Sequence, residues 1–187
     1  MHGSFAIVFC IIVTSYHCCV AFRSPRPVSM GSSASKQEFD ESIYFSGLVD
    51  GITVTETLVK YNDRQINVIR WTPEKPKAIV LISHGLHEHG LRYHGLAKIF
   101  NEKNYCVIAV DHAAHGLSDG TRGLIVDYRV LPLDFVSMAK AVHEEFPSSP
   151  IFVIAHSVGS LVAALSMEEL PFVQVHYVAY LTAFQTS

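Results

Sequence analysis

Three continuous apolar runs of strand length punctuate the chain: Ala78–Ser83 (AIVLIS), Tyr105–Val110 (YCVIAV) and Ile151–Ala155 (IFVIA). A strand that is apolar at nearly every position has no solvent face, so each run predicts a strand covered on both sides. Between the runs the apolar period becomes helical. Tyr93–Asn104 places Leu96, Ala97 and Phe100 in that spacing, and Leu131–Phe146 repeats it through Leu133, Val136, Met138, Ala139, Ala141 and Val142. Pro147-Ser148-Ser149-Pro150 stops this second helix, because proline cannot continue one. Gly159–Leu170 gives a third helix and Val175–Leu181 a fourth strand. Ahead of all these, Ile52–Tyr61 (ITVTETLVKY) and Gln65–Trp71 (QINVIRW) are rich in β-branched residues and partly alternating. Separated by Asn62-Asp63-Arg64, they predict an antiparallel hairpin.

Strands alternating with helices of this length predict βαβ units. The expected architecture is therefore an α/β three-layer sandwich, a mostly parallel sheet behind an antiparallel leading hairpin. The chain has no internal repeat. No Gly-rich phosphate loop follows any strand, so dinucleotide and P-loop chemistry lack their signature.

The amino-terminal part reads differently. Phe5–Val13 is an unbroken apolar run, and Cys19-Val20-Ala21 suits a signal-peptidase site, so residues 1–21 are expected to be a cleaved secretory leader. An uncleaved anchor extending to Phe22 is the alternative. Residues 22–37, with Arg23, Arg26, Pro25, Pro27, Lys36 and several serines, read as a basic linker or transit-type segment. A leader followed by such a tail resembles the two-part plastid presequences of algae with secondary plastids. Entry into the secretory pathway is expected, with secretion, an endomembrane or a plastid as destinations. The domain proper is expected over residues 38–187.

That body carries all 17 Asp and Glu of the chain but only 11 of its 14 Lys and Arg, and no Lys or Arg follows Lys140. An acidic body of this kind offers no basic surface for nucleic acid, which is set aside as a partner. With 49% hydrophobic residues the chain can bury a core, which excludes wholesale disorder. Three of the four cysteines (Cys10, Cys18, Cys19) fall in the leader, so the body keeps only Cys106. No disulfide framework can be built, and Cys106, inside an apolar run, is expected to be buried.

The candidate chemistry lies at two strand ends. Ile154-Ala155-His156-Ser157-Val158-Gly159-Ser160 joins the third apolar run to the third helix as a small-x-Ser-x-Gly turn. Such a turn lifts a serine Oγ above the sheet, and it needs tiny residues two before and two after the serine. Ala155 and Gly159 meet that need, which makes Ser157 the candidate nucleophile. Ser83-His84-Gly85-Leu86-His87-Glu88-His89 follows the first apolar run and can supply a preorganised amide to an oxyanion. The expected donors are the N–H groups of Leu86 and Val158.

With these residues in view, SHGLHEHGLRYHGLAKIF, VDHAAHGLSDG and FVIAHSVGS resemble the successive motifs of monoacylglycerol lipases and lysophospholipases of the α/β-hydrolase fold, a group often called serine aminopeptidase-like. The resemblance runs from about Leu58 to Leu181. It implies that His84 and Gly85 open the oxyanion loop and that Ser157 is the nucleophile. It also implies that residues 111–118 form a structural loop. Ala114 and Ser160 stand where glycines are usual, and both are expected to crowd tight turns. The implied substrate is a lipid ester, monoacylglycerol or lysophospholipid, cleaved through an acyl-enzyme without a cofactor, which leaves peripheral contact with a membrane open.

In this fold the acid and then the base of the triad follow the serine. After Ser157 the sequence offers Glu168, Glu169 and His176. The two glutamates are expected on the third helix, turned to solvent, and His176 at the leading end of the fourth strand, away from Ser157. The triad acid and base are thus expected to be absent, the chain being the amino-terminal part of a hydrolase truncated after the strand that follows the nucleophile helix. A catalytically inactive binding module or pseudo-enzyme is the alternative. The histidines His84, His87, His89, His94, His112 and His115 also suggest a metal site, but no Cys pair or acidic cluster completes one, and no metal is expected.

Overall fold

The three apolar runs become neighbouring parallel strands because each can satisfy its backbone only against another strand while both its faces are covered. In the computed structural model, which describes residues 41–179, they are β4 (Ala78–Ser83), β5 (Tyr105–Val110) and β6 (Ile151–His156). Ahead of them lie β1 (Glu41–Val49), β2 (Ile52–Tyr61) and β3 (Arg64–Thr72), and the last strand is β7 (Val173–Ala179). The helices are α1 (His94–Asn101), α2 (Val130–Glu145) and α3 (Val158–Ser166). The strand order is β1-β2-β3-β5-β4-β6-β7. Strands β1 to β3 form an antiparallel meander, β3 also pairs antiparallel with β5, and β5, β4, β6 and β7 run parallel. The expected leader and linker lie outside the described residues.

The leading edge holds one strand more than the hairpin predicted from sequence. β1 pairs with β2 through the two-residue turn Asp50-Gly51, with φ of 51° and 79°, and β2 pairs with β3 through Asn62-Asp63, with φ of 47° and 67°. Two positive φ values in succession match the right-handed strand twist, which is why Asp-Gly and Asn-Asp sit there. Arg64, read from sequence as part of the turn, instead opens β3 opposite Tyr61.

Alternate residues of the central strands feed two separate cores. Ile79 and Leu81 of β4 join Cys106, Ile108, Phe135, Met138 and Val142 on the side covered by α2 and α3. Val80 and Ile82 join Trp71, Val107, Ala109 and Ala97 on the side covered by α1. Every residue of β4 is buried, as a strand between two helical layers requires. Cys106 is fully buried in the first core, and burial pushes its thiol pKa up. Arg64 reaches the buried Asp134 of α2 with Nη2 at 2.7 Å and Nε at 3.1 Å, tying the second hairpin to the helical layer. Burial raises the Asp134 pKa against the pull of that guanidinium.

Element ends differ modestly from the sequence reading. α1 is shorter than expected because a 3₁₀ turn, Gly90–Tyr93, precedes it and Asn104, at φ 62°, takes the left-handed conformation that ends helices. α3 gives way at Met167 to a 3₁₀ turn carrying Glu168 and Glu169, both exposed as expected, with Glu169 2.9 Å from Lys140. β7 begins two residues before the predicted strand. His176 is therefore its fourth residue, paired with Val153 in the body of the sheet, and not at the strand's leading end.

Candidate active site

β6 ends at His156 and α3 begins at Val158, so the chain reverses within the single residue Ser157. Ser157 takes φ 52° and ψ −121°. Such a conformation costs an L residue about 1–3 kcal/mol and persists only where its surroundings impose it. The imposing neighbour is the end of β4. A Cβ at Gly159 would overlap the Ser83 carbonyl oxygen and lie 2.5 Å from the His84 carbonyl oxygen, so α3 meets the β4 backbone directly. Ala155 stands beside Ser83 in the ladder and is itself buried. The small residues flanking Ser157 are thus explained by the closeness of the neighbouring strand.

The β4 loop faces Ser157. A Cβ at Gly85 would sit 2.7 Å from His156 Nδ1 and 3.2 Å from Ser157 Cβ. Leu86 is the next residue of this loop, and Val158, first in α3, has an N–H with no acceptor inside its helix. His84, Gly85, Leu86, Ser157 and Val158 are all brought to the carboxyl ends of the neighbouring strands β4 and β6.

His84 is the scaffold of that loop. Its Nδ1–H donates to the Gly85 carbonyl at 2.7 Å, and its Nε2 accepts the His112 amide at 2.9 Å. Both ring nitrogens are therefore committed to backbone, which leaves neither for a metal. The His112 and His115 rings stand 4.4 and 5.3 Å from it, and His112 Nε2 is 2.9 Å from Ser83 Oγ. Burial lowers the His84 pKa to about 4, and it also lowers those of His112 and His115. An unfolded histidine titrates near 6.5, so at intermediate pH the unfolded chain binds the proton that the folded chain refuses. Stability is then complete above about pH 6.5 and falls as the pH drops toward about 4, with His84 alone accounting for on the order of 3 kcal/mol. Urea midpoints should decline steadily across this window. A flat profile there would contradict the neutral cluster.

Asp111 organises the loop after β5, as the sequence reading expected of residues 111–118. It is buried, its Oδ1 accepts the Gly90 amide at 2.6 Å, and its Oδ2 accepts the Leu117 amide and Asn67 Nδ2–H, both at 2.9 Å. Ala114 holds φ 66°, so the expected crowding is real at that position. Ala114→Gly should raise stability by about 1 kcal/mol, read as a higher urea midpoint at constant slope. Ser160 differs from expectation. It lies buried in the first turn of α3, where its amide donates to the Ser157 carbonyl at 2.9 Å, and it does not take the positive φ that would demand glycine.

Three residues of the site, Glu88, Tyr93 and His156, take roles that the sequence motifs around them do not announce. Glu88 Oε2 accepts the Gly85 amide at 2.9 Å, the Tyr93 hydroxyl at 2.8 Å and stands 3.0 Å from His156 Nδ1. Burial pushes the Glu88 pKa up, but the bonds from Tyr93, Gly85 and His156 outweigh it and leave the carboxyl below its ordinary value. Burial, and then the bond to Glu88, raises the Tyr93 pKa. A carboxylate three residues after a loop amide is a recognisable signal, the spacing of a side chain reaching back to an N–H. His156, from a different strand, had no such signal.

A mostly parallel sheet with helices on both faces, and a serine in a strained strand-to-helix turn, define an α/β-hydrolase. Residues 74–184 match the family described as serine aminopeptidase, S33, and the chain belongs to that family. Over 102 residues it is 35% identical to the monoglyceride lipase of Homo sapiens, covering 54% of this chain and 34% of that one. Over 90 residues it is 36% identical to the monoacylglycerol lipase of Mycolicibacterium smegmatis, covering 48% and 32%. A thermostable carboxyl esterase from Bacillus coagulans, solved with glycerol, is similar with a TM-score of 0.52 and 28% identity, over 70% of this chain and 40% of that one. The chain spans about a third of the length of the monoglyceride lipases it matches.

Proposed function

We propose that this chain carries the nucleophile and oxyanion half of a serine hydrolase that cleaves carboxylic esters of lipids, monoacylglycerol or lysophospholipid. The observation that carries the reading is the left-handed Ser157 at the turn from β6 to α3, with the Gly85-Leu86 loop packed against it. Ser157 Oγ would attack the acyl carbonyl while a base removes its proton. The negative charge on the carbonyl oxygen would be met by the Leu86 and Val158 amides, the alcohol would leave with a proton, and water would then release the fatty acid from the acyl-enzyme. Similarity to two monoacylglycerol lipases supports the substrate class. The acid and base follow the serine in this fold. Among the described residues, Glu169 is instead paired with Lys140 and His176 lies within β7.

The test expresses the product of the native transcript, read through and beyond the codon for Ser187, and treats it with a fluorophosphonate and with monoacylglycerol. Covalent labelling at Ser157 together with fatty-acid release is the expected result. Equal labelling of wild type and Ser157→Ala would remove Ser157 from the role.

A further inference from the structure

The oxyanion loop has a second anchor besides His84, and it reaches across to the residue preceding Ser157. Glu88 Oε2 stands at hydrogen-bonding distance from three groups on two separate chain segments: the Gly85 amide at 2.9 Å, the Tyr93 hydroxyl at 2.8 Å and His156 Nδ1 at 3.0 Å. The other oxygen, Oε1, lies 3.3 Å from Arg92 Nε, an exposed side chain whose contribution is small. A carboxylate accepts and does not donate, so the bond to His156 puts a proton on Nδ1 and fixes that ring's orientation. There is no slack in the arrangement. A Cβ on Gly85 would fall 2.7 Å from His156 Nδ1 and 3.1 Å from Glu88 Oε2, so loop backbone, carboxylate and ring are already in contact. The Glu88 side chain is 13% exposed and that of His156 31%, so it is the carboxylate end of these bonds that is largely shielded from water.

We propose that Glu88 is a positioning residue for the oxyanion loop: by holding the Gly85 amide and the His156 ring on one oxygen, it fixes the direction of the next amide, that of Leu86, relative to Ser157. The proposal rests on the reading of Ser157 as nucleophile and of Leu86 as oxyanion donor. The Leu86 N–H shares its peptide plane with the Gly85 carbonyl, which accepts His84 Nδ1–H at 2.7 Å and the Glu88 amide at 3.2 Å, while the Glu88 carboxylate holds the Gly85 N–H on the other side of that residue. With both of its flanking peptide units held, Gly85 cannot turn the Leu86 N–H without breaking a charge-assisted bond. Removing an oxyanion donor costs about a hundred- to a thousand-fold, and misplacing a group by about 1 Å can cost a hundred-fold. Loosening the anchor should therefore cost about ten- to a hundred-fold, in acylation and deacylation alike, because each passes through an oxyanion held by the same amides.

The experiment uses the product of the native transcript and compares Glu88→Gln, which keeps size and one acceptor oxygen, with Tyr93→Phe, which leaves the carboxylate but removes one of its partners. Ser157→Ala is the control for the underlying reading. kcat and KM are measured on a monoacylglycerol and on a p-nitrophenyl ester, beside thermal unfolding and the ¹⁵N shifts of the Gly85 amide and the His156 ring. The expected result is a kcat lower by about ten- to a hundred-fold for Glu88→Gln on both esters, with KM within about two-fold. Tyr93→Phe should give a smaller loss of the same kind, and both variants should move the Gly85 and His156 signals. If Glu88→Gln does not fold, an unchanged kcat in Tyr93→Phe together with an unmoved Gly85 signal overturns the proposal. A full kcat in folded Glu88→Gln overturns it too, as does a rise in KM confined to the glyceryl ester, which would make Glu88 a substrate contact. Activity surviving in Ser157→Ala would instead defeat the reading of the site itself.

Discussion

In the product of the native transcript, Ser157→Ala is expected to lower ester hydrolysis by about a million-fold, the loss typical when a serine nucleophile is removed from a complete hydrolase. Ser157→Gly should abolish activity equally, yet the two variants should differ in stability. Ser157 holds φ 52° with a Cβ in place, and alanine keeps that Cβ. Glycine does not, so it should release part of the about 1–3 kcal/mol that such a backbone stores. Thermal unfolding of the three proteins side by side checks this. An inactive glycine variant more stable than both wild type and alanine variant is the expected pattern, function being held at the expense of stability. A glycine variant no more stable than wild type would show that the turn stores no strain. Residual hydrolysis within a hundred-fold of wild type in Ser157→Ala would remove Ser157 from the chemistry.

Gly159→Ala is expected to destabilise the fold severely. Its Cβ would overlap the Ser83 carbonyl oxygen and crowd that of His84. Neither can retreat: Ser83 is fully buried in the ladder between β5 and β6, and His84 is pinned through its own ring. Overpacking a core usually costs about 1–3 kcal/mol through side-chain shifts. Here the clash is with backbone at a strand end, so α3 must move as a unit and the cost should reach or exceed the upper end of that range. The expected outcome is an insoluble protein or a urea midpoint lowered in proportion. Where protein is recovered, Ser157 should react with a fluorophosphonate more slowly than in wild type. A variant with wild-type stability and labelling rate would mean that α3 does not approach β4 as closely as the geometry requires.

The order of elements from β2 onward was legible because each element is written as a local pattern. Runs apolar at nearly every position gave β4, β5 and β6 within a residue, and the helical spacing around Phe135, Met138 and Val142 gave α2 within one residue at either end. β1 escaped this reading although Asp50-Gly51 is a strong hairpin signal, since a strand at the sheet edge, with Leu48 exposed, carries little apolar alternation to announce itself. The early start of β7, which moves His176 from the strand's leading end to its middle, depended on pairing with β6, which local pattern does not encode.

For the site the division falls along the same line. The residue types and spacing around Ser157, the small residues Ala155 and Gly159, and the His84-Gly85-Leu86 loop were determined by sequence alone. A tight strand-to-helix turn tolerates few residues, and those few can be read in order. Only the tertiary structure decided which groups meet there. It brought Glu88 from the β4 loop to His156 at the end of β6, committed both nitrogens of His84 to backbone, and closed Asp111 around the amides of Gly90 and Leu117. These partners lie up to 68 residues apart in the chain. Local propensity fixes what a segment forms, whereas the meeting of segments is fixed by burial and by the need of each buried polar group for a partner, and both belong to the assembled fold.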